Sequence, residues 1–340
     1  MGPAPAVAAV RNAVRACVAD LAPGDVVLAA CSGGADSLAL AAALAFVAPR
    51  AGLRAGGVTV DHGLQQGSAD RAASVLSVLA GLGLDPVRGL SVSVGPVRES
   101  GGPEAAARLA RYDALTQVAA DLGAAAVLLG HTLDDQAETV LLGLARGSGP
   151  RSLAGMPARR GIFRRPLLAV RRSDAAAACA ALGLEPWQDP HNRDRRFARV
   201  RVRLDALPAL EAALGPGVAE ALARTADQLR ADAEVLENLS SERIHGDSPL
   251  SAADLAGMPP AVRTRVLRAA AVAAGCPAGA LTAGHVARLS ALVTDWHGQR
   301  WIDLPGGVRA SRRAGLVCFS ISTGKVDVTS TVIEPGWDDV

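Results

Sequence analysis

Residues 31–37, with the sequence CSGGADS, constrain the fold of this 340-residue chain more than any other feature. A short apolar run from residue 26 ends in this stretch, and an apolar helical pattern starts directly after it. A strand that turns tightly into a helix leaves unpaired backbone N–H groups at the helix N-terminus, where the helix dipole attracts an anion. The glycines permit positive φ and close approach of a ligand. The stretch therefore predicts a strand–loop–helix unit that binds pyrophosphate.

The side chains of this loop suit a polyphosphate that is bridged by a metal ion. Ser32 and Ser37 supply hydroxyl donors, whereas Asp36 places a carboxylate where a bare phosphate would be repelled. The alternative is an ordinary turn capped by Asp or Ser, which explains the two glycines but not the whole pattern. The loop is not a Walker A motif, because Gly-Lys-Ser/Thr is missing and the only lysine of the chain is Lys325.

The loop resembles the modified P-loop of the N-type ATP pyrophosphatases, which split ATP into AMP and pyrophosphate by adenylating a substrate oxygen. The resemblance implies that the loop residues bind ATP, together with two residues that follow a later strand. These ATP-binding candidates are Ser32, Gly33, Gly34, Ala35, Asp36, Ser37, Asp61 and His62.

Three further apolar segments, at 57–63, 87–94 and 124–130, have the composition of buried strands, and helical patterns separate them. Strands that alternate with helices predict an α/β fold with a doubly wound parallel sheet and helices on both faces. The resemblance makes this fold adenine-nucleotide alpha-hydrolase-like. Ligands of such sheets bind beyond the carboxyl ends of the strands. Since Ser32, Asp61 and His131 each follow a strand end, we expect them to converge on one crevice.

A second polar constellation starts at His131 and continues into a predicted helix. Asp134 and Asp135 lie at the helix start, and Glu138 lies one turn later on the same face. Acidic capping on a solvated face would explain the two aspartates alone. With Glu138 and His131 at the predicted crevice, we favour a role in holding Mg²⁺ and polyphosphate. All four are catalytic candidates together with Asp36, and Asp36, Asp135 and Glu138 are the predicted metal ligands.

The helix predicted from 103 to 121 carries Arg108 and Arg111 on one turn, beside Tyr112, the only tyrosine. Glu104 and Arg108 have the spacing of a surface ion pair. Arg111 is the better candidate for contact with substrate, and we count it among the catalytic residues.

Positive charge is confined to the middle of the chain. Residues 146–203 contain 14 arginines and 4 acidic residues, a net charge of +10, whereas 1–145 and 204–340 each carry −4. A basic segment between two acidic ones is the footprint of a polyanion larger than ATP. Arginines scattered by composition alone are the weaker explanation. Five dispersed cysteines without a Cys-x-x-Cys motif argue against a disulfide scaffold, a zinc site or a cysteine-held cluster, and favour a cytosolic protein.

Further motifs narrow the resemblance to the tRNA(Ile)-lysidine synthetase family. They occur in order at 60–64, 104–112, 131–139, 146–156, 165–168, 189–203 and 304–309. The family often has asparagine between the arginines of its last basic segment, where Val200 and Val202 stand in this chain. The resemblance therefore leaves open which of Arg199, Arg201 and Arg203 inherits a functional role.

The resemblance implies an AMP-forming ligase that makes a C–N bond and uses ATP and Mg²⁺. Its substrates would be free L-lysine and tRNA(Ile) with a CAU anticodon. Adenylation of the wobble cytidine and attack by lysine would give lysidine and change codon reading from AUG to AUA. The resemblance also implies a cytoplasmic homodimer. The predicted tRNA-binding residues are Arg108, Arg146, Arg165, Arg199, Arg201 and Arg203.

Other functions fit the sequence less well. A tRNA thiolase of the same fold would need catalytic or cluster-binding cysteines, which the cysteine pattern does not supply. A small-molecule ligase, such as an NAD or GMP synthetase, would not need the basic segment. A non-catalytic ATP-dependent RNA-binding protein would bind tRNA but release no AMP.

The chain is long enough for two domains. We expect a catalytic domain at 1–212, a helical linker at 213–240 formed by one helix over 214–239, and a tRNA-binding α+β domain at 241–325. The C-terminal domain should contain short helices over 251–292 and a small β meander over 301–321. The tail at 326–340 has no pattern and is predicted to be disordered. No apolar run reaches the ~18–20 residues that would cross a bilayer.

Overall fold

The structure is a computed structural model that describes residues 2–61, 63, 67–92, 102–147, 149–243 and 250–321, with only the backbone described at 102–105 and 107. His62 and the tail at 326–340 lie outside the described residues. The chain forms two compact units, one up to residue 233 and one from residue 234. The predicted boundaries at 212 and 240 stay predictions. No helix within the described ranges is long and apolar enough to span a membrane.

The first unit is built on a six-stranded sheet. Its strands are β1 (Val26–Ala30), β2 (Arg54–Asp61), β3 (Val87–Ser91), β4 (Ala124–Leu129), β5 (Arg159–Arg160) and β6 (Phe163–Arg164). The strand order is β3-β2-β1-β4-β6-β5, and only β5 runs antiparallel to its neighbour. The doubly wound parallel sheet expected from the sequence is confirmed.

Helices precede, connect and follow these strands. In the first unit they are α1 (Pro5–Cys17), α2 (Ala35–Val47), α3 (Ser68–Gly81), α4 (Gly102–Asp121), α5 (Leu133–Ala145), α6 (Pro150–Leu153), α7 (Arg172–Ala181), α8 (Ala198–Arg201) and α9 (Leu207–Leu214). A π-helical segment, Val202–Ala206, joins α8 to α9. Helix α10 (Val218–Ser241) follows, and the boundary between the two units falls within its sequence.

The core lies on both faces of the sheet because side chains alternate along each strand. Val27 and Ala29 of β1 pack in a cluster with residues of α1, α2, α3 and α7. Val26, Leu28 and Ala30 of the same strand pack in a second cluster with residues of α4. All five β1 residues are buried, as a strand covered on both sides requires.

The prediction of one helix over 214–239 is wrong at its start. Helix α9 ends at Leu214, and α10 begins only at Val218. Gly215 and Gly217 lie between them with φ of +90° and +101°, a backbone region that interrupts a right-handed helix. The apolar spacing continues across this break, so periodicity alone did not reveal it.

The second unit pairs helices with a small antiparallel sheet. Its elements are β7 (Leu250–Ser251), α11 (Ala252–Gly257), α12 (Pro260–Ala273), α13 (Ala283–Thr294), β8 (Ile302–Leu304), β9 (Val308–Arg313) and β10 (Leu316–Ile321). The strand order is β7-β10-β9-β8. The predicted short helices and C-terminal meander are confirmed, and β7 is an additional strand.

Gly56 of β2 is fixed by packing, and it gives a test of the sheet. A Cβ atom at this position would lie 2.6 Å from Leu28 Cδ2 and 2.8 Å from the Pro86 carbonyl oxygen. We therefore expect Gly56→Ala to lower the free energy of unfolding by about 1–3 kcal/mol in urea titrations. The matched control is Gly81→Ala at the end of α3, where a Cβ meets nothing within 4 Å. That control should be neutral or stabilising by up to ~1 kcal/mol, and equal losses in both variants would contradict the packing argument.

Candidate active site

The loop between β1 and α2 is held by its own side chains. Ser37 Oγ accepts a hydrogen bond from the Ser32 backbone N–H at 3.1 Å and donates to the Gly34 carbonyl at 2.9 Å. Gly33 has a φ of +84°, and a Cβ there would lie 2.8 Å from Val75 Cγ2. The loop is therefore a preformed turn at the N-terminus of α2, where backbone N–H groups favour an anion.

Asp36 stands in the first turn of α2 with one carboxylate oxygen unsatisfied. Its Oδ1 is buried and has no hydrogen-bond partner among the described residues, and its Oδ2 lies 3.6 Å from Arg172 Nε. Burial raises the pKa of Asp36 to about 6, which outweighs the opposing attraction of Arg172. Because ionisation of Asp36 is unfavourable in this environment, a cation bound at Oδ1 would stabilise the ionised carboxylate.

The predicted acidic helix is α5, and its aspartates are tied to backbone groups. Asp135 Oδ2 accepts hydrogen bonds from the N–H of Thr132 at 2.9 Å and from its hydroxyl at 3.0 Å, which forms a capping box. Asp134 Oδ2 accepts the N–H of Arg172 at 2.7 Å and so caps the start of α7. Both aspartates therefore cap helices, which is one of the two alternatives that the sequence left open, and their role in a ligand crevice stays a prediction.

Glu138 is fully buried and is surrounded by guanidinium groups. Arg203 Nε lies 2.7 Å from Glu138 Oε1, and Arg172 Nη2 lies 3.1 Å from the same oxygen. Arg199 Nε is 3.7 Å from Oε2. Arg172 Nη2 also donates to Asp135 Oδ1 at 2.8 Å. We refer to Asp36, Asp134, Asp135 and Glu138 with Arg172, Arg199 and Arg203 as the charged cluster.

The charges within this cluster are coupled. Burial acts to raise the pKa of Asp135, but Arg172 and the Thr132 backbone outweigh it, so that the pKa lies below its usual value. Ion pairs as buried as these are stable only when every partner is present, because desolvation of a lone charge is costly.

Sequence reasoning did not identify Arg172 as a site residue. Its guanidinium contacts Asp36, Asp135 and Glu138, which lie on two different helices. The local signal was a cation at the first position of a helix, which opposes the helix dipole and needs a compensating partner.

Asp36 fits a magnesium site better than the other predicted ligands do. Its Oδ1 is buried and unpartnered, whereas both oxygens of Glu138 accept hydrogen bonds from arginines. Within the described part of the chain, no group of three His, Cys, Asp or Glu side chains is arranged to hold a metal ion alone. Magnesium commonly uses one or two carboxylates and takes its other ligands from phosphate and water, so Asp36 suits an ion that arrives with a polyphosphate.

His131 and Arg111 are half-buried, His131 directly after β4 and Arg111 in a pocket beside the end of β1. The Nδ1 atom of His131 is buried and unpartnered among the described residues, and burial lowers the pKa of this imidazole. It is therefore neutral at physiological pH. Burial also lowers the pKa of Arg111, and Arg111 lines a pocket together with Cys31 and Ser32. A Cβ atom at Gly130 would lie only 3.1 Å from the backbone of Asp36. The absence of a side chain at Gly130 therefore lets the end of β4 pack closely against the start of α2.

Two adjacent pockets of about 200 and 310 Å³ lie at the carboxyl ends of β1 and β2. Both are lined by Ser32, Val60, Trp187 and Asp189, and Asp61 lines the first. Pockets of this kind, at the strand ends beside the turn, are where open α/β sheets bind ligands. Ser32 and Asp61 line one crevice, as expected from topology, whereas His131 lines neither of these two pockets.

Trp187 is a second residue that the sequence did not identify as part of the site. Its backbone N–H donates to the Gly33 carbonyl at 2.9 Å, and the guanidinium of Arg71 lies 3.5 Å from its ring centroid. The residue is 150 positions away from the loop in sequence, so only the folded chain brings them together.

The arginines predicted to bind tRNA occupy different environments. Arg165 is buried and donates to the Pro157 carbonyl at 2.9 Å and to the Tyr112 hydroxyl at 3.1 Å. Arg201 donates to two backbone carbonyls. Arg108 and Arg146 are exposed. Arg199 and Arg203 belong to the charged cluster. Some arginines of the basic segment therefore neutralise acidic residues of α5, and others lie at the protein surface.

Two protein-family models match the chain. A PP-loop domain model matches residues 8–210, and a TilS substrate binding domain model matches residues 250–316. The first covers more than half of the chain and includes the loop, the acidic helix and the charged cluster.

Close relatives extend over nearly the whole length. A curated tRNA(Ile)-lysidine synthase of Thermobifida fusca is 59% identical over 323 residues, which is 94% of this chain and 99% of that protein. Proteins of the same name in Salinispora tropica and Streptomyces coelicolor are 57% and 54% identical, and the alignments cover 92% and 93% of this chain and 96% and 98% of theirs.

One solved structure has the same fold at low sequence identity. It is the U34-tRNA thiolase NcsA from Methanococcus maripaludis with its [4Fe-4S] cluster, at 19% identity and a TM-score of 0.56. The alignment covers 66% of this chain and 79% of that one. The similarity shows the fold alone.

Proposed function

Because the chain belongs to the tRNA(Ile)-lysidine synthase family, whose members are ligases that form a C–N bond, we propose that it joins free L-lysine to the wobble cytidine of tRNA(Ile) with a CAU anticodon. The product would be lysidine at that position, which changes codon reading from AUG to AUA. The observation that supports this most is the preformed loop with Asp36, whose buried Oδ1 has no hydrogen-bond partner among the described residues and is free to bind a cation.

The proposed reaction has two group transfers. The C2 oxygen of the cytidine attacks the α-phosphorus of ATP, and pyrophosphate leaves. The ε-nitrogen of lysine then attacks C2, a C–N bond forms, and the C2 oxygen leaves as part of AMP. Catalysis of such transfers consists mainly of positioning and charge neutralisation.

The chain's own residues would divide these tasks. The backbone N–H groups of residues 32–37 and the hydroxyls of Ser32 and Ser37 would hold the phosphates, and the pockets near Asp61 and Trp187 would take the nucleoside. Asp36 would hold Mg²⁺, with Asp135 or Glu138 joining it if an arginine moves away. When bound, this ion would neutralise the phosphate charge.

Free lysine carries an α-carboxylate and two ammonium groups, and residues of the site could pair with both kinds of charge. Arg111 is a half-buried guanidinium in the lining of the second pocket, and it would form a forked pair with the α-carboxylate. An acid of the charged cluster would hold an ammonium group. His131 is neutral and weakly basic because burial lowers its pKa, so it would contact the substrate through its unpartnered Nδ1 while the ε-ammonium loses its proton to solvent.

The two cysteines beside the loop, Cys31 and Cys179, are not the reactive thiols that a thiolase would need. Burial raises the pKa of Cys31, and it raises the pKa of Cys179, the other cysteine beside the loop, to about 11. Cys179 Sγ lies 3.3 Å from the Ala35 carbonyl oxygen. Neither sulfur would be a thiolate at neutral pH, and thiolates are the reactive form.

Cytoplasmic location and homodimerisation accompany this proposal, because the substrate is tRNA and the family resemblance implies a dimer. Sedimentation of the purified chain would measure the oligomeric state: a monomer at micromolar concentration would contradict the dimer and leave the reaction unaffected.

Lysine incorporation gives the test of this proposed function. Purified protein incubated with ATP, radiolabelled lysine and tRNA(Ile) bearing CAU should place label in the tRNA and release one AMP per lysine. The matched control is the same tRNA with uridine at the wobble position, which should take up none. AMP release without lysine transfer would indicate another nucleophile, and tRNA binding without AMP would indicate a non-catalytic protein.

A further inference from the structure

The second unit contains a basic region that the sequence-wide charge balance conceals. Residues 204–340 have a net charge of −4, but residues 250–321 contain eight arginines and three aspartates, a net charge of +5. The acidic residues that offset this region lie in the sequence before and after it. A positively charged surface therefore exists outside the 146–203 segment.

Strand alternation places part of this charge on the outward face of the small sheet. Ile302 and Leu304 of β8 and Val308 and Ala310 of β9 are buried, and they form the inner face. The residues between them point the other way. Asp303 is directly opposite Arg309 in the register of these strands, and Arg309 Nε lies 2.8 Å from Asp303 Oδ1.

Trp301 lies at the start of β8 on this outward face, between two arginines. The guanidinium carbons of Arg300 and Arg309 lie 5.0 and 4.9 Å from the Trp301 ring centroid. The side chain is 39% exposed, although tryptophan is normally well buried. Arg313, two positions after Ser311 on β9, continues the same face and is exposed. We call Arg300, Trp301, Arg309 and Arg313 the Trp301 face.

This combination matches one kind of partner. An exposed aromatic ring on a sheet stacks unpaired bases of single-stranded RNA, and flanking arginines bind the phosphates. A protein partner would call for a contiguous apolar patch, whereas this face has one ring among three guanidinium groups. Charge complementarity therefore favours a polyanion.

We propose that the Trp301 face binds tRNA by stacking one unpaired nucleotide on Trp301 and pairing its neighbouring phosphates with Arg300 and Arg309. The inference rests on the proposed function for the identity of the RNA. It identifies the side chains through which the unit that matches the substrate binding domain model would contact RNA, and the way in which they would do so.

The test measures the affinity of the full chain for tRNA(Ile) with a CAU anticodon, by filter binding without ATP or lysine. Trp301→Leu, which removes the stacking surface, should weaken binding roughly tenfold, whereas Trp301→Phe should retain most of the affinity. Arg300→Gln should reduce the slope of log K against log salt concentration by about one, as expected for one lost phosphate contact. Arg300 is exposed, so this variant tests the face without threatening the fold.

Arg288→Gln is the matched control, because Arg288 is exposed on α13 and stacks on no aromatic ring in the described part of the chain. It should bind tRNA like the wild type. Unchanged affinity in both Trp301→Leu and Arg300→Gln would overturn the inference, even if the wild type incorporates lysine normally. Failure of lysine incorporation with the predicted binding losses intact would instead count against the proposed reaction.

Discussion

Replacing Asp36 with asparagine is expected to abolish AMP formation, with a loss of at least about 10²-fold, while tRNA affinity is unchanged. Asparagine keeps the shape of the side chain but removes the negative charge that would hold Mg²⁺ beside the phosphates. The readout is pyrophosphate release in the presence of tRNA and lysine. Comparable loss of tRNA binding would mean that Asp36 serves the RNA site or the fold instead.

The same substitution should stabilise the unliganded protein. The folded pKa of Asp36 is raised from 3.8 to about 6, so ionisation is less favourable in the folded chain than in the unfolded one. The resulting penalty is absent below the unfolded pKa and complete above the folded pKa. At pH 7.5, Asp36→Asn should therefore raise the free energy of unfolding by roughly 1–3 kcal/mol, and at pH 3 the gain should vanish.

Asp113→Asn provides the control for both measurements, because Asp113 is exposed on α4. It should change neither pyrophosphate release nor the unfolding midpoint. If Asp36→Asn were destabilising at pH 7.5, the ionised carboxylate would already be adequately paired without a bound cation. That result would contradict its proposed role as a cation ligand.

Replacing Glu138 with glutamine is expected to produce the largest loss of stability, about 3–5 kcal/mol in denaturant titrations. Glu138 is fully buried and receives Arg172 and Arg203 within 3.1 Å. The isosteric amide keeps the volume but removes the buried charge that both guanidinium groups share, so that Arg203 retains only the longer contact with Asp135 and Arg172 retains Asp135 and Asp36. AMP formation should fall as well, since Arg172 also positions Asp36.

Two comparisons isolate the buried charge. Glu220→Gln breaks a half-exposed ion pair between Glu220 and Arg171, which precedes Arg172 in the sequence. Such ion pairs contribute about 1 kcal/mol or less to the free energy of unfolding. The double variant Glu138→Gln with Arg203→Gln should recover part of the stability, because removing both partners leaves fewer unpaired charges. A Glu138→Gln loss no larger than that of Glu220→Gln would refute the account of the charged cluster.

The sequence predicted the strand–loop–helix unit and the acidic helix because both are local. Gly33 and Asp36 follow a buried strand directly, and Asp135 and Glu138 are spaced by one helical turn, so periodicity and turn chemistry suffice. The order of the strands also places His131 and Ser32 at neighbouring strand ends.

The partners of these residues could not be predicted in the same way. Arg172 lies 34 positions after Glu138 and 136 after Asp36, and Trp187 lies 154 after Gly33, so no local pattern connects them. Charge composition indicated a basic segment but did not distinguish arginines that neutralise buried acids, such as Arg203, from those left at the surface, such as Arg146. That distinction depends on tertiary packing alone.

The most direct test of the proposed reaction follows the C2 oxygen of the wobble cytidine. We expect that tRNA(Ile) labelled with heavy oxygen at that atom, incubated with the protein, ATP and lysine, yields AMP that carries the label in its phosphate. This result requires that the cytidine oxygen attacks the α-phosphorus and leaves as AMP when lysine adds. Unlabelled AMP together with lysine in the tRNA would contradict the account, because activation would then have occurred on another oxygen.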